Sequence, residues 1–183
     1  MTLTEEQAAL FYKLWIPLLD FVNRRYKIDK ELYGMTSPKG LPIMRVMEIT
    51  DKLWKHLTVI DKYIAENSEK LSEEEIAIVT GWKKVVQGTF VVERHLKAGS
   101  VLIFCETNEV YIAKGIYSGW REMLADRPLP QLIKAALIPF QGVIISDGLI
   151  ELYGAHLGKN MADDARSIYL YAKADNRLIK SLD

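Results

Sequence analysis

The chain of 183 residues is short of most features that announce a function. It holds one cysteine, Cys105, so no intrachain disulfide can form and a disulfide-stapled secreted scaffold is excluded. It has no excess of either charge: 24 cations face 24 anions, 13 against 13 over residues 1–88 and 11 against 11 over 89–183. That balance supplies no global field to gather DNA, RNA or anionic lipid, so neither nucleic acid nor a membrane is an expected partner. No apolar run approaches the roughly 20 residues that span a bilayer. Met1-Thr-Leu-Thr-Glu-Glu-Gln carries acids where a secretory signal carries bases, and a cytoplasmic location is the expectation. No repeat, low-complexity tract or Gly/Ser/Pro-rich spacer interrupts the chain, which predicts two halves that pack together.

Chemical motifs are equally few. His56, His95 and His156 have no second ligand at metal-binding spacing, and no cofactor is expected. There is no Gly-x-Ser-x-Gly elbow and no Ser-x-x-Lys. Cys105, closing the strand Val101-Leu-Ile-Phe, reads as a small buried hydrophobe whose thiol is inert, the alternative being a nucleophile paired with His95 on the neighbouring strand. Arg24-Arg25-Tyr26-Lys27 is the best local basic patch, and its simpler reading is cations complementing the end of the first helix. Glu73-Glu74-Glu75 reads as charge at a helix start, and Trp54, Trp82 and Trp120 as core mass rather than base-stacking platforms.

What the sequence does contain is a change of period near Gly88. Thr4 with Gln7 is a capping-box pattern that opens a first helix, in which Pro17 predicts a kink or break. Tyr33 to Gly40 reads as a loop punctuated by Gly34, Ser37-Pro38 and Gly40. Ile43, Val46, Thr50, Leu53, Leu57, Ile60 and Ile64 predict one helix with a seam for a partner helix, and Ser72 with Glu75 opens a third helix. From Thr89 the pattern turns to strands at 90–96, 101–105 and 110–116. A helix is predicted from Gln131 to Ile138, stopped by Pro139, then a hairpin whose Asp147-Gly148 supplies the turn. Asn160 is expected to cap a last helix with Asp163 and Asp164 in its first turn, and 177–182 to add an edge strand. The predicted fold is α+β: a three-helix N-terminal lobe, residues 1–88, packed on a small antiparallel β-sheet or partly open barrel with accessory helices, residues 89–183, the two tightly docked.

Leu129-Pro130, then Ala136-Leu-Ile-Pro-Phe-Gln-Gly142 and Ile145-Ser-Asp-Gly-Leu149, resemble a segment of roughly L-x-P-F-x-G-x-I-x-x-D-G-L shared by a group of uncharacterised bacterial proteins. The resemblance implies no activity.

Two functional readings remain. One is an accessory or interaction protein without a catalytic motif, binding a protein partner or a second copy of itself. The other is a small-molecule enzyme whose site assembles around residues 154–160. There Gly154, His156, Gly158, Lys159 and Asn160 lie between a strand and a helix, where backbone amides and a lysine suit an anion. Whether the chain is an enzyme stays open at this level.

Overall fold

Helical spacing before Gly88 and strand spacing after it fold as an α+β protein. The computed structural model describes residues 1–182, with Ala155 and His156 described by their backbone alone. The chain divides into two units, Glu5–Lys83 and Met1–Thr4 with Lys84–Asp183.

The first unit has four helices rather than three: α1 (Glu5–Tyr26), α2 (Ile43–Lys55), α3 (Thr58–Asn67) and α4 (Glu73–Gly81). α1 starts directly after Thr4 and runs through Pro17 without a break. Leu14, Trp15, Ile16, Leu18 and Leu19 around the proline are all buried, and that packing outweighs the roughly 3 kcal/mol a helix-interior proline costs. The predicted seam of 43–64 is split where His56 leaves helical geometry, at φ −136° and ψ 61°. The split resets the phase: Val46, Thr50, Leu53 and Ile60 are buried as expected, Ile43 is exposed, and Ile49, Trp54, Val59 and Tyr63 join the buried set. No proline or glycine marks the break; the Tyr26 ring stacks on His56 there, centroids 5.6 Å apart. At α4 the capping box forms as read, Ser72 Oγ accepting from the Glu75 amide and Glu75 Oε2 accepting from the Ser72 amide. Trp15 stacks on Trp54 and meets Trp82 edge-on, with Phe11 beside both Trp15 and Trp82.

The second unit carries β1 (Val86–His95), β2 (Ser100–Phe104), β3 (Val110–Lys114), the short α5 (Trp120–Met123), β4 (Gln131–Phe140), β5 (Val143–His156), α6 (Lys159–Ala174) and β6 (Leu178–Ile179). Pairings β1–β2, β2–β3, β3–β5, β5–β4 and β4–β1 close a ring of five strands. The sheet is mixed, because β3 runs parallel to both β5 and β6. Phe90, Val92, Leu102, Phe104, Tyr111, Ala113, Ile133, Ala135, Leu137 and Ile144 alternate onto one sheet face, with Trp120 and Leu124 packed among them. The other face of β1, β2 and β3 is covered by Ala165, Tyr169 and Ala172 of α6, and the Arg94 guanidinium lies 4.4 Å over the Tyr169 ring. Burial on both faces explains why β2 and β3 read as unbroken apolar runs instead of alternating.

Two local expectations reverse. Gln131–Phe140 is a strand, not a helix, held between β1 and β5. The turn after it is Gln141-Gly142, both at positive φ (45° and 76°), joining the Phe140–Val143 pair. A two-residue turn of this kind matches the strand twist. Asp147-Gly148 is instead an irregularity within β5, where the three residues between Ser146 and Ile150 lie opposite the single residue between Ala135 and Leu137 on β4. There Ser146 Oγ and Asp147 Oδ1 accept from the amides of Gly148 and Leu149, satisfying groups the ladder leaves out. Pro139 fits β4 because β1 pairing stops at Val86–Leu137, so no strand needs its missing N–H.

Candidate functional site

A recess lies in the helical unit, in the loop between α1 and α2. It measures about 330 Å³ and is lined by Glu31, Leu32, Tyr33, Gly34, Met35, Thr36, Ser37, Lys39 and Leu41. Its scaffold begins at the end of α1, where Lys27 takes positive φ (54°) and the Ile28 and Lys27 amides bond back to the Asn23 and Arg24 carbonyls. That is the double-bonded helix stop usually built on glycine, here on a lysine. Asn23, fully buried, then pairs with the Asp29 backbone: its Nδ2 donates to the carbonyl at 2.8 Å and its Oδ1 accepts the amide at 2.8 Å. Asp20 accepts the Gly34 amide on one oxygen (2.7 Å) and Arg24 Nε on the other (2.8 Å). The Arg24 guanidinium lies 4.9 Å over the Tyr33 ring. Gly34 sits at φ 77°, a conformation that favours glycine. The loop is thus pinned at 29 and 34.

Electrostatics tie the same loop to α2. Arg45 donates from Nε and Nη2 to the two Asp29 oxygens and reaches Glu31 Oε2 at 2.8 Å. Asp29 Oδ1 also caps the short turn Lys30–Leu32 through the Glu31 amide. The Asp29 carboxyl is held below its ordinary value, chiefly by the Arg45 hydrogen bond and then by the Glu31 amide, against the effect of burial. A folded value below the unfolded one stabilises fully above about pH 4 and is lost as pH falls through the folded value. Asp29→Asn is therefore expected to flatten the acid limb of the stability curve; an unchanged limb in pH-dependent denaturation would show that the pair is not coupled to folding.

The other sequence candidates are dispersed. In the basic run at the end of α1, Arg24 is held by Asp20 and Tyr33, Arg25 by Glu66 at 3.1 Å and the Phe21 ring, and Tyr26 by His56 and Lys52, while Lys27 is exposed. Around 154–160, Gly154 falls within β5, and Gly158 rather than Asn160 is the residue before α6. Gly158, Lys159 and Asn160 are exposed, and no atom lies within 4 Å of a Cβ built on Gly154 or Gly158. The His156 side chain lies outside the described residues. No acid occupies the first turn of α6, so Asp163 and Asp164 fall beyond it. Among the described residues no cluster of three His, Cys, Asp or Glu side chains could hold a metal ion, and no helix is long and apolar enough to cross a membrane.

Cys105 does not meet His95. It bonds through its amide to the Thr89 carbonyl, whereas His95 pairs across the hairpin with Ser100, Nδ1 to Oγ 2.7 Å. Burial, with Arg121 and the N-terminal amine, lowers the His95 value, and Ser100 is only 4% exposed. Contrary to expectation Cys105 is exposed, at the turn after β2. Its thiol is still pushed up, by the surroundings of the sulfur and then by Glu106. Exposed but slow modification at neutral pH is expected, with thiol-reagent rates rising only above the ordinary cysteine range. A reaction midpoint below pH 7 would contradict this.

Compared with known proteins, the chain matches no family model, no curated protein and no solved structure. The loop recess was missed from sequence because its bonds join residues 6 to 16 apart, and no local pattern records them. The only available signal was the loop reading of Tyr33 to Gly40.

Proposed function

We propose that the chain is a non-catalytic binding protein, and that the Glu31–Leu41 recess with the adjoining start of α2 takes an apolar side chain from an acidic segment of a partner protein. The observation that carries this reading is exposure: Ile43 and Met44, immediately after the recess residue Leu41 and Pro42, are 63% and 73% exposed. Large apolar side chains grouped beside a concavity are a usual mark of a protein interaction site. Met35 and Met44 add unbranched, polarizable side chains that adapt to varied partners. The charge preference comes from Lys39, which lines the recess and has no ion-pair partner among the described residues, whereas Arg45 is already held by Asp29 and Glu31.

The test is selection of a random peptide library on the immobilised chain, followed by titration of a selected peptide against the amide signals of Gly34, Thr36, Lys39 and Met44. Selected peptides are expected to place an aromatic or aliphatic residue beside Asp or Glu. Met44→Asp is expected to weaken them at least about tenfold, roughly 1.4 kcal/mol, and Lys39→Glu to reverse the acidic preference. No enrichment, or shifts confined to residues 154–160, would overturn the reading, the second outcome in favour of a site at that loop.

A further inference from the structure

A second cluster of polar groups stands in the strand unit, at one end of the ring. His95 at the end of β1 pairs with Ser100 at the start of β2, and Ser100 with Ala113 of β3. Leu102, Phe104, Tyr111 and Ala113 face the ring interior, and the β2–β3 register runs without a shift, so Ser100 faces inward as well. Ser100 is 4% exposed, and its Oγ lies 2.7 Å from His95 Nδ1, which holds the half-buried imidazole on that side. Two residues past Ala113, Gly115 lies against the Ser118 carbonyl and Gly119, so α5 begins at this same end. Its Trp120 packs among the interior residues, and the buried indole Nε1 meets no hydrogen-bond acceptor among the described residues. Arg121 follows, exposed and with no ion pair among the described residues.

These groups offer donors and little to receive them. An indole N–H and a guanidinium only donate. The serine–histidine pair adds a donor in either protonation state. When Ser100 donates to Nδ1 the ring proton stands on Nε2, and a charged ring donates from both nitrogens while Ser100 accepts. Charge points the same way. Burial opposes a charge on His95, and so, next, do Arg121 and the N-terminal amine; Asp126 is the one acid acting the other way, more weakly than either cation. An anion placed between like charges relieves their repulsion. A carboxylate is satisfied by the guanidinium fork alone, whereas a tetrahedral oxyanion has oxygens left for the imidazole and the indole. We infer that this end of the ring binds the phosphate group of a small molecule, with Arg121 and His95 as its outer contacts and the Trp120 indole as its inner one. The site is independent of the recess, which lies in the other unit.

Sulfate is the probe, since it carries the same tetrahedral oxygens and does not titrate alongside histidine. The His95 and Trp120 ring signals of the full chain are followed by NMR across the histidine range, with and without millimolar sulfate at matched ionic strength. A bound dianion favours the charged imidazole, so the His95 midpoint is expected to rise by about half a unit or more, about threefold in proton affinity. The Trp120 indole N–H signal is expected to move with the same sulfate dependence. By linkage, sulfate binds more tightly as pH falls through the His95 midpoint. The His56 ring signal, in the helical unit, is the control and does not move. Arg121→Gln is expected to abolish both responses, and acetate to produce neither. Asp126→Asn removes the opposing acid and is expected to tighten sulfate binding. Sulfate that leaves either ring signal in place overturns the inference, as do responses unchanged by Arg121→Gln and equal responses to acetate. If Arg121→Gln does not fold, Asp126→Asn carries the reading, and binding no tighter than in the parent chain overturns it equally.

Discussion

Trp82→Ala is expected to destabilise the helical unit by about 3–5 kcal/mol, the range for deleting a buried aromatic ring. Trp82 is completely buried, and its indole meets Trp15 edge-on at 5.3 Å and Phe11 at 5.8 Å. Alanine removes both ring contacts, each worth about 0.5–1.5 kcal/mol beyond the area buried, and leaves a cavity that rigid neighbours fill poorly. The chemistry of the indole makes a second variant informative. Its buried Nε1 meets no hydrogen-bond acceptor among the described residues. Trp82→Phe keeps most of the ring and removes that donor, and should lose less than half as much as alanine. Chemical denaturation of both variants checks this; a loss below about 1 kcal/mol for alanine would show that Trp82 is not part of the packed centre.

Gly115→Ala is expected to cost about 3 kcal/mol or more, at the upper end of overpacking effects. A Cβ at this position would lie 1.9 Å from the Ser118 carbonyl oxygen and 2.9 Å from its carbon, and 3.1 Å from the Gly119 Cα. All three are backbone atoms, so no side-chain rotation relieves the clash. The turn must open, and with it the placing of Ile116 and Trp120, which are 4% and 1% exposed. The same residue is bonded on its other side, its amide donating to the Met1 carbonyl and its carbonyl accepting from Leu3. Gly119→Ala is the control, since its nearest contact is an ordinary 3.5 Å. A melting temperature for Gly115→Ala equal to that of the control would mean that the turn yields easily.

What could be read locally was read correctly where the physics is local. The Ser72–Glu75 box needs only residues three apart, and it forms. The last helix and the edge strand β6 appear at nearly their expected places. Errors arose where distant partners decide. Gln131–Phe140 carries Ala135-Ala136-Leu137, good helix formers, yet two flanking strands recruit its backbone into the ring. Asp147-Gly148 has the stronger turn chemistry, but the strand continues through it because Phe140 already pairs with Val143 across Gln141-Gly142. Pro17 lowers helix propensity in α1 without ending it, because buried side chains on both sides hold the helix together. The α+β class itself was legible, since it rests on the period of the apolar pattern and that period survives local misassignment.

The candidate site divides the same way. The sequence by itself determined that the chain has no disulfide framework, no charge excess and no familiar catalytic spacing, because each of these is a property of composition or of residues close in the chain. Only the tertiary structure decided that Asp20, Asn23 and Arg45 pin the 28–41 loop into a recess, and that Ile43 stands at its exposed rim instead of in a helix seam. Tertiary pairing likewise decided that, among the described residues, β4 alone pairs with the far half of β5. A hydrogen bond between residues 14 apart depends on where the fold brings the two groups, and so does the choice of strand that pairs with the far half of β5; residue spacing along the chain encodes neither.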